Sequence, residues 1–255
     1  MLILGIVGSP RRDGRTAALV QAALDGAAPL GVDTRRIFLF DYAIQPFSSV
    51  GGAAEGVRFC PQELSLLCEQ SDALVLGAPV YWGDINGMTK DFMDSVRIAN
   101  SSGKPGLGIA IAGGSGKGLL SGVQSIYHFL YHKQMRGIDP TPVSRFNMQE
   151  ALAGLRVSGA RLAEMAREPL PFPGGTSDER WPEVVAYYAT LPYLDADPVA
   201  EFVMLAEQLV RLGSRDQLEV ARAELEQARA ALLQHDRPAA GRHAVRCYQL
   251  LYYPG

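Results

Sequence analysis

The chain has 255 residues and a mass of 27.5 kDa, is 47% hydrophobic and 20% charged, and carries a formal charge of −3. This composition suits a soluble globule of one large domain or a domain with an appendage, and its slight acidity argues against a general nucleic-acid binder. With no run of about 18 apolar residues, no basic stretch before the apolar start, and only Cys60, Cys68 and Cys247 as cysteines, no transmembrane helix, secretory signal or disulfide framework is expected, and the protein reads as reduced and cytoplasmic.

The first 170 residues alternate short apolar runs with helical patterns. Leu2–Val7 reads as a strand apolar on both faces, as strands of a buried parallel sheet are. Thr16–Ala28 is rich in Ala and Leu and reads as a helix ended by Pro29. Arg35–Phe40 is the second expected strand, and Pro61–Ser71 a helix with Pro61 at its first position. Ala73–Gly77 is a third strand, Asn86–Ile98 a helix, Gly106–Ala112 a fourth strand and Leu119–Met135 a helix. Thr141–Phe146 reads as a fifth strand, and Ala151–Glu168 as an amphipathic helix with Leu152, Leu155, Leu162 and Met165 on one face. This alternation predicts parallel strands joined by right-handed crossovers.

Residues 169–176 are a breaker cluster and a predicted boundary. The remainder reads as all-helical. Asp197-Pro198 marks a helix start and Gly213 a stop, with Ser214 and Gln217 spaced as a capping box. Leu218, Ala221, Leu225, Ala228 and Leu232 form a seam for packing against another helix, and Pro238 opens a last helix. Six of the ten tyrosines lie in this final stretch. Residues 1–170 carry a net charge of +1 and the rest −4.

Three loops follow the carboxyl ends of strands one, three and four, where open parallel sheets bind ligands. The first runs from Gly8 to Thr16. The hydroxyls of Ser9 and Thr16, flexible Gly14, a helix N-terminus, and Arg11, Arg12 and Arg15 compose a phosphate cradle. It has neither the Walker A spacing nor G-x-G-x-x-G. The second is Gly77-Ala78-Pro79-Val80-Tyr81-Trp82-Gly83-Asp84, which places two large aromatics beyond a strand end, suited to bounding a flat ring or to plugging the sheet edge. The third, Gly113-Gly114-Ser115-Gly116-Lys117-Gly118, allows close backbone approach to a ligand.

Taken together, Gly8-Ser9-Pro10-Arg11-x-x-Gly14-x-Thr16, Ala78-Pro79-Val80-Tyr81-Trp82-Gly83, Lys90-x-Phe92-x-Asp94 and Gly113-Gly114 resemble the flavodoxin-like NAD(P)H-dependent FMN reductases, the iron–sulfur flavoproteins among them. The resemblance spans residues 1 to about 168. It implies FMN with its phosphate held by Ser9, Arg11, Gly14, Arg15 and Thr16. It also implies an isoalloxazine between Pro79, Val80, Tyr81, Trp82 and Gly83 on one side and Gly113, Gly114 and Gly118 on the other. Lys90, Phe92 and Asp94 are read as structural. The iron–sulfur relatives carry a cysteine cluster after the second strand; here Ile44–Val50 has no cysteine. A Cys-ligated [4Fe–4S] cluster needs four thiolates and the chain has three cysteines, so no iron–sulfur cluster is expected. His128 and His132, at i and i+4, lack an obvious third ligand, so no metal site is expected.

The expected architecture is thus a flavodoxin-like α/β fold, a five-stranded parallel sheet sandwiched by helices over residues 1–170, with a helical appendage over 177–255 serving in docking, as a lid or in dimerisation. The expected function is an FMN-dependent oxidoreductase that takes hydride from NADH or NADPH and reduces a small acceptor such as a quinone or a flavin. The cofactor carries that chemistry, so no side chain is named as catalytic. A homo-oligomer, a small-molecule acceptor, and no nucleic-acid or membrane partner complete the expectation. An electron-transfer flavodoxin and a flavin-free interaction scaffold are the alternatives. The appendage is expected to dock on a flavin domain and to wall the pocket with its tyrosines.

Overall fold

The computed structural model describes residues 1–48, 59–213 and 217–253. Its centre is a parallel sheet of β1 (Leu2–Val7), β2 (Asp33–Phe38), β3 (Ala73–Tyr81), β5 (Pro105–Ala112), β6 (Arg136–Gly137) and β7 (Thr141–Ser144). The strand order is β2-β1-β3-β5, with β6 and β7 both on β5. β6 pairs with the start of β5 and β7 with its end, so they are two halves of one fifth position. β4 (Asp84–Ile85) is an antiparallel addition, folding back on the end of β3. Chain direction therefore diverges between β1 and β3, and ligands of open sheets lie at such a switch point.

β3 and β5 lie between neighbours with helices on both faces, which explains their continuous apolar runs. One face is covered by α1 (Arg15–Ala27) and α5 (Met148–Arg167), through Leu19, Val20, Leu24, Leu155 and Leu162. The other is covered by α2 (Gln62–Gln70), α3 (Gly87–Ser95) and α4 (Leu119–His132), through Leu64, Phe92, Val123 and Ile126. The structural reading of the Lys90-x-Phe92-x-Asp94 motif fits: Phe92 is fully buried, and Lys90 pairs with Asp94 one turn on.

Several boundaries differ from the sequence reading. The second strand starts and ends earlier, giving way at Leu39 to a short 3-10 turn. Pro61 caps α2 rather than opening it. β3 runs four residues past Gly77, because the apolar face continues through Ala78 and Val80 and the backbone stays extended through Pro79.

Beyond the sheet domain lie α6 (Ser177–Tyr188), α7 (Pro198–Leu212), α8 (Leu218–Leu233) and α9 (Arg237–Tyr252). α6 opens with a capping box: Glu179 N–H donates to Thr176 Oγ1 at 3.3 Å and Thr176 N–H to Glu179 Oε2 at 3.0 Å. Asp197 caps α7 and Asp236 caps α9 through their side chains, while Gly213, at φ +67°, ends α7. The α6 box was not foreseen from the sequence, whereas Ser214, the first member of the one capping box expected, lies outside the described residues. The α8 seam is buried at Ala221, Leu225 and Ala228.

The appendage docks in cis, at two places. α6 packs beside β6, where Tyr187 and Tyr188 hydroxyls donate to the carbonyls of Gly137 (2.7 Å) and Met135 (2.9 Å). α7, α8 and α9 share a third core with Ala112, Leu119 and Leu120, at the end of β5 and the start of α4. A buried hydrogen bond from Ser144 Oγ to Gln208 Oε1 (2.6 Å) ties α7 to β7.

Candidate functional site

A cleft of about 1230 Å³ opens at the carboxyl ends of β1, β3 and β5. It is lined by Ser9, residues 11–16, 79–83 and 111–117, so all three loops singled out by sequence reach it, together with the end of β5.

The first loop leaves β1 at Gly8, whose N–H donates to the Gly77 carbonyl at 2.7 Å. A Cβ at position 8 would stand 1.9 Å from Thr89 Oγ1, so glycine is required there by close approach. The buried amide of Asn86 donates to the Gly8 carbonyl (2.9 Å), and Thr89 Oγ1 donates to Asn86 Oδ1 (2.7 Å). Asn86 and Thr89 thus hold the loop from the start of α3. Sequence reading did not single them out; their i, i+3 spacing at a helix start was the available signal.

The loop ends at the N-terminus of α1. Gly14 is its N-cap and no side chain caps it, so first-turn N–H groups stay available. Ser9 and Thr16 are buried against the cleft, and Arg11 N–H donates to Ser9 Oγ at 3.3 Å. The three arginines divide. Arg12 is turned to the end of β2, where it grips the Asp41 carboxylate with two nitrogens and stacks 4.2 Å over Phe38. Its hydrogen bonds hold the Asp41 carboxyl below the usual carboxylate range. Arg15 Nη1 donates to the Gly113 carbonyl. Arg11 makes no ion pair among the described residues and remains at the cleft.

The second loop is a two-residue hairpin. Val80 pairs with Ile85 and Tyr81 with Asp84, leaving Trp82 and Gly83 at the tip with φ of +54° and +91°. Two positive φ values give the turn a twist that matches the flanking strands. Trp82 is fully exposed and Tyr81 more than half exposed, so neither belongs to the sheet core. Ser121 of α4 donates to the Gly83 carbonyl, and Ser125 to Asp84 Oδ1 at 2.6 Å, fastening the hairpin to α4.

In the third loop Gly113, Gly114, Ser115, Gly116 and Lys117 line the cleft. Gly118 does not: its N–H donates to Glu201 Oε1 at 2.8 Å, and its Cα side faces Gly83. Every other site residue named from sequence is at the cleft. The expected tyrosine wall is absent among the described residues, since the lining ends at Lys117. Tyr187 and Tyr188 are spent on β6, and Tyr248 reaches the third loop from behind, donating to the Ser115 carbonyl at 2.8 Å.

Cys60, Cys68 and Cys247 are buried and free. Burial pushes the Cys68 thiol up to about 12 and the Cys247 thiol up to about 11. Among the described residues no three His, Cys, Asp or Glu side chains gather into a metal-binding group.

Residues 1–143 match the family model described as NADPH-dependent FMN reductase. An iron–sulfur flavoprotein of Methanocaldococcus jannaschii is 30% identical over 156 residues, covering 57% of this chain and 80% of that protein. An NADPH azoreductase of a Bacillus species is 26% identical over 168 residues, covering 66% of this chain and 85% of that one. Among solved structures, an NAD(P)H:quinone oxidoreductase from Methanothermobacter marburgensis superposes with a TM-score of 0.51 at 14% identity, covering 64% of this chain and 96% of that chain; it shares the fold.

Proposed function

This chain belongs to the NADPH-dependent FMN reductase family, and we propose that its cleft binds FMN by the Ser9–Thr16 loop and uses NADH or NADPH to reduce a small acceptor such as a quinone or a second flavin. The observation that carries the reading is the contrast between the two helix N-termini that follow the first and third loops. α4 is closed by the Glu201 carboxylate, while α1 has no side-chain cap and opens beside Ser9, Arg11, Arg15 and Thr16. A helix N-terminus with unspent N–H groups, hydroxyls and guanidinium charge fits a phosphate dianion.

The residues around it suit the rest of that cofactor. Pro79, Val80, Tyr81, Trp82 and Gly83 would bound the isoalloxazine on the β3 side, and the backbone of Gly113 and Gly114 would approach it from β5. A side chain on Gly114 would point into open space, and a Cβ on Gly113 would meet Arg15 Nη1 at 3.4 Å, an ordinary contact. When bound, FMN supplies the redox chemistry, accepting hydride from the nicotinamide and passing electrons to the acceptor. The protein's part is to anchor the phosphate, place the ring and supply backbone donors, so no side-chain acid or nucleophile is assigned.

With three cysteines, a cluster held by four thiolates of one chain cannot form, and the reading is of FMN alone. A homo-oligomer with a small-molecule acceptor is part of the proposal; the exposed aromatics at the hairpin tip support it, and light scattering tests it. Nucleic-acid and membrane partners are not part of it. No helix of the described residues is long and apolar enough to cross a membrane.

The test is anaerobic. Purified protein should show oxidised-flavin absorption that bleaches on adding NADH or NADPH and returns when a quinone is added. Colourless protein whose cleft takes up no added FMN rejects the reading.

A further inference from the structure

α4 starts directly after the glycine-rich loop, and Gly118, its N-cap, has no side chain to cap it. The cap comes from 83 residues further along the chain. Glu201, in the first turn of α7, accepts from Gly118 N–H at 2.8 Å and from Leu120 N–H at 3.0 Å. Tyr248 of α9 donates its hydroxyl to the Ser115 carbonyl at 2.8 Å. Between these, a Cβ on Gly116 would stand 2.5 Å from Leu205 of α7. The Lys117 ammonium lies 5.7 Å from the ring centroids of both Phe202 and Tyr248. Residues 115–118 are therefore hydrogen-bonded at both ends by α7 and α9 and closely approached by them in between, and all these contacts come from beyond residue 143, where the family match ends.

We propose that Glu201 and Tyr248 are positioning residues for the cofactor: the appendage clamps the third loop in its binding shape, so that flavin affinity in this chain depends on a segment outside the matched family region. The inference rests on the reading that the cleft binds FMN. A loop with four glycines in six residues has much conformational freedom to lose when a ligand orders it. The clamp imposes that loss on folding instead of binding, which is preorganisation. Glu201 also fills the N-terminus of α4, leaving α1 as the anion site.

The experiment uses the full chain, stripped of flavin and titrated with FMN, with apoprotein melting measured alongside. Tyr248→Phe keeps the ring and its packing but loses the hydroxyl; Glu201→Gln keeps size but loses charge and one of two acceptors. From the loss of one neutral and one charge-assisted hydrogen bond, FMN binding is expected to weaken about 3-fold in Y248F and about 10-fold in E201Q. Apoprotein melting should stay close to wild type in Y248F. Arg222→Ala, on an exposed i, i+3 pair of α8, should bind FMN as wild type does. Unchanged FMN affinity in both clamp variants overturns the inference, and so does an equal loss in R222A, which would mean general loosening. Should E201Q fail to fold, Y248F decides alone. A wild-type chain that does not bind FMN sinks the underlying reading and this inference with it; wild-type binding with unaltered variants sinks this inference alone.

Discussion

Arg15, the first residue of α1, donates from Nη1 to the carbonyl oxygen of Gly113 at 3.1 Å, joining two loops that are 98 residues apart in sequence. The contact joins the proposed phosphate loop to the glycine-rich loop, and both residues line the cleft. It also means that the arginines of the first loop have unequal tasks: Arg15 bridges loops, Arg12 is held by Asp41, and Arg11 is left for a ligand.

That division predicts unequal mutants. Arg11→Ala should weaken FMN binding by on the order of 1.5–3 kcal/mol, or roughly 10–150-fold, as expected for losing a charged hydrogen-bond donor. Arg12→Ala should change it several-fold less. FMN titration of both apoproteins by flavin fluorescence compares them directly, and equal losses would reject the division.

Gly8→Ala places a methyl 1.9 Å from Thr89 Oγ1. The buried Asn86–Thr89 pair must then shift, at a cost of about 1–3 kcal/mol typical of overpacking. Urea unfolding of the apoprotein measures it. Adding Thr89→Ala removes the clashing hydroxyl, so the double variant should be more stable than the sum of the two single losses.

The cysteines should behave as inert thiols. At pH 8 an aromatic disulfide reagent should react slowly with the native protein and with all three thiols after unfolding. Burial raises Cys68 from 9.0 to about 12. The unfolded state therefore releases its proton first, and stability should fall as pH rises from 9.0 towards 12. A Cys68→Ala variant should lose less stability over that range. Freshly purified protein should contain no stoichiometric iron or acid-labile sulfide.

Removing residues 177–255 uncovers Ala112, Leu119 and Leu120 and strips both Glu201 and Tyr248 from the third loop. The truncated chain should lose solubility or, if soluble, flavin affinity. A truncated protein that is soluble, binds FMN like the full chain and turns over at the original rate would show that the appendage supports nothing at the cleft.

The strands and helices of the sheet domain were legible because each is a local pattern. β1, β3 and β5 are apolar on both faces, and α1 and α5 carry helical stripes that need no distant partner to recognise. The three loops were legible for a related reason: glycine, hydroxyl and arginine at a strand end have few other uses. β4 was missed because a two-residue strand has no period of its own; it exists only because Trp82 and Gly83 turn back onto β3. Asn86 was missed because its partner, Gly8, is 78 residues away, and Thr89 because it acts on the loop through Asn86.

The sequence by itself determined the sheet, its helices, and which segments come together at the carboxyl edge, since periodicity and turn chemistry are written within about ten residues of each position. It also determined that three cysteines cannot ligate a four-thiolate cluster. Only the tertiary structure decided how the arginines divide, why Gly118 faces Glu201 instead of the cleft, and where the appendage sits. Those outcomes depend on contacts between residues 29 to 133 positions apart, and no local pattern records which distant carboxylate or hydroxyl will satisfy a given backbone group.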